Sequence, residues 1–557
     1  MQRDISILRE TISSILNKLR ENPVSFGVIP AIIFLLAFIP RAVDLGTGLT
    51  TDEPAWLSRA PHFINALAQG NYSATYTVIH PGVTVMWLSG VFMKLFLRPG
   101  MDFPQYLSVA RFPVVLITSL GIVLMFFLMR GLVPEKTAIL ASVLIAMDPF
   151  YLAYSRFIHL DALVTTFMAL SLLSFLVWVR QPQKSVFLVM AGGFLGFALL
   201  TKQPAECLIP FFLLALVIRQ IVISYNSIRN LKKTCTGCFS IPFFRSVLKP
   251  FLIILIIAGV LFILFWPAMW VAPVNTVQKL EAGLEKVVEN PHERIGYFMG
   301  VVTTTDNYGP LFYPVVLLMK LTPVTLIFSL VAIAGLLYSF RKSKFSDENL
   351  TVIFLLLFIA LFGILMTIGE KKFDRYLLPV FPYIDILAAM GICACYSFIS
   401  SRVSRTGNRK SKGIFTGDRW YGVLVILVMV LQAALIVPIS PYYLSYSNPV
   451  VLGGPQHAPE YLLVGWGEGQ DLAAAYLNNK TGAEHLKVFV QYSGFAQYFK
   501  GKTTNNTASA DYIVFYSCAV QRHYNEDVWN RYWNKTPEKV IVLNNIEYCW
   551  IYPTHPQ

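Results

Sequence analysis

Apolar runs of about 20 residues recur along this chain, separated by short polar stretches. Each is close to the length at which a helix crosses a hydrocarbon layer. Their pattern predicts eleven spans, near residues 25–43, 112–130, 137–153, 161–179, 185–201, 206–224, 250–267, 311–340, 350–369, 377–400 and 420–439. The run PGVTVMWLSGVFMKLFL at 81–97 is also apolar, but its length and Lys94 predict a helix lying in the membrane interface. From about residue 440 the pattern changes. A helix-like GQDLAAAYLNN precedes strand-like LKVFVQY, DYIVFY and EKVIVLNNIEYCWIYP, which together predict a small α/β domain. The organisation therefore reads as a polar segment at 1–24, a membrane domain at 25–439 and a soluble domain at 440–557. The first segment lacks the apolar core of a cleavable signal peptide.

Composition sharpens this. Of 557 residues, 55% are hydrophobic and 14% charged, whereas soluble chains carry charge at about a quarter of positions. That excludes a soluble enzyme and leaves a polytopic α-helical protein whose first partner is the lipid bilayer. A net charge of +14 would suit nucleic acid, but its placement reads as a topology signal instead. The loop at 219–249 holds Arg219, Arg229, Lys232, Lys233, Arg245 and Lys249 without an acid; the loop at 402–419 is similarly basic. The positive-inside rule makes both cytoplasmic. Counting spans then puts the N-terminus inside, and the loops 44–111, 154–160, 202–205, 268–310 and 370–376 outside with the tail. This is a multi-pass plasma-membrane topology. The seven cysteines are too few for a disulfide framework. Cys235 and Cys238 form a lone CxxC read as loop thiols, and Cys518 and Cys549 can form one disulfide if the tail meets an oxidising space.

The chemically interesting groups all fall on the outer side. They are Asp52 and Glu53 in TTDEPAW, His80 in VIHPG, and Arg156, His159 and Asp161 in YSRFIHLDAL. Lys202 follows in LLTKQP, and Lys372, Arg375 and Tyr376 in GEKKFDRYLLP. Lys320 stands inside an apolar stretch, where it either snorkels or faces a cavity. Asp52 can cap a helix that begins at Pro54 and buries Trp56, Ala60 and Phe63 on one face. A cap and a catalytic acid are compatible roles. The cations at 371–375 violate the positive-inside rule, which points to an anionic partner. A carboxylate at a membrane face can take a proton from a hydroxyl, and Arg and Lys can hold a lipid phosphate. A flippase for a lipid-linked anion would also use a basic cavity. However, a transporter needs polar groups reaching through the midplane, and these groups cluster on one side.

These residues also carry a resemblance. The series DEP at 52–54, HPG at 80–82, Ser155–Arg156 with Leu160–Asp161, Gly196 with Thr201–Lys202, and Arg375–Tyr376 with Pro379 and Pro382 is ordered as in a known family. It resembles GT-C membrane glycosyltransferases of the protein O-mannosyltransferase and lipid A aminoarabinose transferase type. The tail entry YYLSYSNPVVLGGP…GWGEGQDLAAAYLN is similar to prokaryotic members. Gly82 replaces a second proline, and loop 268–310 is too short for the β-trefoil of the eukaryotic mannosyltransferases. The resemblance implies a GT-C fold and an inverting transfer of a sugar from a polyprenyl-phosphate donor, without metal or other cofactor. The acceptor would offer a hydroxyl or a phosphate, on a lipid, glycan or protein at the external face. It further implies catalytic roles for three acids: Asp52 as the acceptor-activating carboxylate, Glu53 assisting it or positioning the acceptor, and Asp161 orienting donor sugar or acceptor. Arg156, Lys202 and Arg375 would hold the donor phosphate, near His80, His159, Lys320, Lys372 and Tyr376.

Overall fold

The computed structural model describes residues 22 to 555 apart from 23, 231–242, 290–294, 343–345 and 407–417. Cys235, Cys238 and the first 21 residues lie outside the described residues, as do Lys232 and Lys233. Among the described residues, nine helices are long and apolar enough to cross a membrane. They include Val24–Ala42, Phe103–Met129, Leu160–Arg180, Asp347–Ile368 and Asp374–Arg402. The other two expected runs are shorter. One is the apolar helix Ser185–Thr201. The other breaks where Asp148 ends Glu135–Met147 and accepts the Tyr151 amide at 2.7 Å, capping Pro149–Tyr154. The run at 311–340 also divides, at Leu321–Thr322, because Thr322 caps Pro323–Arg341.

Leu160–Arg180 is the axis of the bundle. Every residue in it but Arg180 is buried, which is why it reads as apolar all round rather than as a stripe. Gly192 and Gly196 let helix Ser185–Thr201 approach Lys249–Phe265 closely: a Cβ on either would meet the Ile254 or Ala258 carbonyl at about 3 Å. So Gly196, part of the motif series, has a packing role. The helix expected in the interface forms at Val83–Phe96 and packs against Glu53–Ala68 and Phe103–Met129.

Beyond residue 440 the expected strands form a five-stranded sheet. It comprises β3 (Lys487–Val490), β4 (Lys502–Thr504), β5 (Tyr512–Tyr516), β6 (Lys539–Leu543) and β7 (Ile546–Pro553), in the order β4-β3-β5-β7-β6. β1 (Ile295–Phe298) and β2 (Val301–Thr304) pair separately. β6 and β7 are joined by Asn544 and Asn545, both with positive φ, the turn that a tight hairpin requires. Helix Gln470–Asn478 precedes the sheet. The expectation of a Cys518–Cys549 disulfide is corrected here. Both thiols are buried and unbonded to each other. Cys518 Sγ lies 2.7 Å from the Tyr492 hydroxyl, while Cys549 in β7 points to the Gly469 carbonyl.

Candidate active site

Asp52 and Glu53 are neighbours in sequence, yet a helix start turns them in different directions. Asp52 stands at the N-cap of Glu53–Ala68 but makes no side-chain cap bond. Its Oδ2 lies instead 3.3 Å from Arg375 Nη2 and 3.4 Å from His159 Nε2. The side chain remains 37% exposed, so a substrate can reach it. Glu53 is wholly buried. Arg111, from helix Phe103–Met129, donates Nε to Oε1 at 2.7 Å and Nη2 to Oε2 at 2.5 Å. The amides of Thr50 and Ile158 donate to the same carboxylate at 3.0 Å. The remaining Arg111 donors go to the carbonyls of Leu45, Thr47 and Gly48. Glu53 therefore pins the loop before Asp52 to its neighbours and offers no oxygen to a substrate. The expected catalytic role is replaced by a positioning one.

Arg156 needs a similar correction. Its guanidinium is buried over the Tyr443 ring and donates to the carbonyls of Pro40, Arg41 and Asp44. It closes the C-terminal end of Ile29–Ala42 and is not available to a phosphate.

Behind Asp52 lies a charge relay of alternating sign. His159 Nδ1 is 2.8 Å from Asp161 Oδ2, and Lys202 Nζ donates to Asp161 Oδ1 at 2.5 Å. Arg375 Nε is 3.6 Å from Asp161 as well. Lys202 sits over the Tyr376 ring at 4.5 Å. Asp161 thus holds cations in place rather than meeting a reactant. Burial would raise the Asp52 carboxyl, but the His159 hydrogen bond and the charges of Arg375 and His159 hold it well below the usual carboxylate range. For His80, burial together with Lys202 and Lys371 brings the imidazole down to about 4, so it is neutral at neutral pH.

Burial alone would lower His159, yet the charge and hydrogen bond of Asp161, then those of Asp52, raise it above its ordinary value. His159 therefore binds its proton more tightly folded than unfolded. The stabilisation is complete below the unfolded value near 6.5 and is lost as pH rises through the raised folded one. The difference in thermal midpoint between wild type and His159→Gln is expected to be widest below about pH 6.5 and to narrow above it. A difference independent of pH would show that His159 is neutral.

A cavity of about 170 Å³ opens in front of this cluster. Asp52, Lys320, Lys372 and Arg375 line it; His80, His159, Asp161, Lys202 and Tyr376 are not among its lining residues. Lys320, at the end of Phe312–Lys320, donates to the Tyr446 carbonyl at 3.0 Å. A further part of the wall comes from the loop 465–469, through Trp466 and Glu468. Trp466 packs 4.6 Å from the Arg375 guanidinium and edge-on to His159, and its carbonyl accepts the Thr51 amide at 3.0 Å. Neither residue is among the sequence-derived candidates. The available signal was local: a tryptophan and an acid spaced between three glycines in GWGEG.

Residues 80–249 match the family model of dolichyl-phosphate-mannose-protein mannosyltransferases. That segment contains the HPG, SR…LD and G…TK motifs. Among curated proteins, none matches the sequence. Similar solved structures include ArnT from Cupriavidus metallidurans bound to undecaprenyl phosphate, at 15% identity over 95% of this chain and 99% of that one, with a TM-score of 0.45. The Archaeoglobus fulgidus oligosaccharyltransferase tethered with an acceptor peptide is 12% identical over 93% and 72% of the two chains, with a TM-score of 0.46. The Saccharomyces cerevisiae Pmt1–Pmt2 complex bound to its sugar donor is 18% identical over 49% and 38%, with a TM-score of 0.35.

Proposed function

We propose that this chain is a GT-C membrane glycosyltransferase of the protein O-mannosyltransferase and aminoarabinose transferase type, and that it moves a sugar from a polyprenyl monophosphate to an acceptor hydroxyl on the external face of the membrane. One observation carries the reading: an ionised, reachable Asp52 shares a cavity wall with Arg375 while Lys372 and Lys320 line the same space.

The chemistry balances with these groups alone. Asp52 accepts the acceptor's hydroxyl proton, and the freed oxygen pair forms a bond to the anomeric carbon. The bond from that carbon to phosphate oxygen breaks, and the polyprenyl phosphate leaves with the electron pair. Arg375 and Lys372 stabilise the charge gained by the phosphate. A single displacement inverts the anomeric centre. His159, Asp161 and Lys202 keep Asp52 and Arg375 in register.

The test uses the purified chain in nanodiscs with native membrane extract as acceptor. Undecaprenyl phosphates carrying radiolabelled mannose, glucose or arabinose are supplied in turn. Label should leave one of these lipids and enter a product whose anomeric configuration, read by NMR, is inverted. Label that crosses the bilayer still attached to its lipid would establish a flippase instead.

A further inference from the structure

The reaction accounts for Asp52 and the cations of the cavity and leaves other lining residues unused. The cavity wall is also aromatic, and beside Glu468 it carries Asp374 and Arg522. Tyr297, Tyr308, Tyr446, Trp466 and Tyr548 line it together with Glu468. Glu468 is only 7% exposed. Its Oε2 accepts the Trp466 amide at 2.5 Å and the Tyr516 hydroxyl at 3.3 Å, and the Lys320 charge acts on the same carboxylate. The loop that presents it cannot shift easily. Gly467 has φ +136°, and a Cβ there would lie 2.0 Å from the Leu49 carbonyl; at Gly465, φ +101°, it would meet the Tyr516 ring. The Tyr516 hydroxyl also accepts the Gly467 amide at 2.7 Å. A buried carboxylate oxygen, fixed in direction and walled by aromatic faces, matches a pyranose ring: its hydroxyls donate to the acid while its C–H face packs on the rings.

We infer that Glu468 is a specificity-determining residue that accepts hydrogen bonds from the hydroxyls of a sugar ring in this cavity. This rests on the glycosyl-transfer reading above. The ring belongs either to the donor or to a glycan acceptor, and the chemistry of recognition is the same. Sites built around a substrate hydroxyl discriminate sharply, because the analogue that lacks it leaves the buried group unpaired.

The experiment measures binding of undecaprenyl phosphate and of its mannosyl, glucosyl and arabinosyl derivatives to wild type, Glu468→Gln and Glu468→Asp in nanodiscs. Transfer into native membrane extract is then followed with the same proteins. Gln can still accept the Trp466 amide, so the loop keeps its seat, and unchanged binding of the bare lipid phosphate reports that. Losing a hydrogen bond to a charged group predicts a roughly ten- to hundredfold loss for the sugar-bearing ligand. If that loss falls on binding of a sugar-bearing lipid, the ring is the donor's. If lipid binding is unchanged and kcat/KM for transfer falls by this factor, the ring is the acceptor's. Unchanged binding and transfer would overturn the inference, as would an equal loss for bare and sugar-bearing lipids, which marks a structural role. Wild type that binds none of the lipids would overturn the transfer reading and this inference with it.

Discussion

Asp52→Asn is expected to lower sugar transfer by about a hundred- to ten-thousandfold while leaving folded protein at wild-type levels. The size follows from the chemistry: a positioned base contributes roughly 10² to 10⁴ in rate, and Asn cannot accept the proton. The folding half follows from the structure. Asp52 makes no cap hydrogen bond to lose, and Asn is as good an N-cap as Asp. The amide retains the shape of the carboxylate against Arg375 and His159. Transfer of label from the polyprenyl phosphate, measured beside the thermal midpoint of the same preparation, separates the two effects. Wild-type turnover in Asp52→Asn would remove Asp52 from the chemistry. A collapsed midpoint would assign it to the helix start.

Glu53→Ala should behave in the opposite way. Arg111 and Glu53 are both wholly buried, and their bidentate contact is the main compensation for two desolvated charges. Removing one partner of a buried pair costs about 3–5 kcal/mol, because the other charge stays behind uncompensated. That is a large share of the 5–15 kcal/mol by which proteins are stable. The expected result is therefore little folded protein and a sharply lower thermal midpoint. The double variant Glu53→Leu, Arg111→Met should recover part of the loss, since it removes both charges. Recovery stays incomplete because Arg111 also ties down the carbonyls of Leu45, Thr47 and Gly48. A Glu53→Ala protein that melts like wild type but fails to turn over would return Glu53 to the reaction.

These two outcomes mark how far the sequence could be read. Span positions and the tail strands were legible because hydrophobic length and alternation are properties of the chain itself. The helix breaks at Asp148–Pro149 and Thr322–Pro323 had local signals too. The cluster of ionisable groups was legible as a set: Asp52, His159, Asp161, Lys202 and Arg375 do meet, although they come from distant segments. What was not legible was the direction of each side chain. Asp52 and Glu53 are one residue apart, and only the partner Arg111, far along the chain, shows that one faces a cavity and the other the interior. Arg156 and Arg375 carry the same group, but backbone carbonyls claim the first, and carboxylates with aromatic faces hold the second. Trp466 and Glu468 were hidden for another reason. Nothing local to GWGEG says that it folds back onto the loop before Asp52.

That fold-back has a consequence for the birth of the protein. The Gly48 amide donates to Asp471 across 423 residues of sequence, and Thr51 is bonded to Trp466. Chains are made and fold from the N-terminus, so the acid and its arginine are inserted long before the loop that braces them exists. A nascent or truncated chain ending before residue 466 would present Asp52 and Arg375 without the wall that completes their cavity.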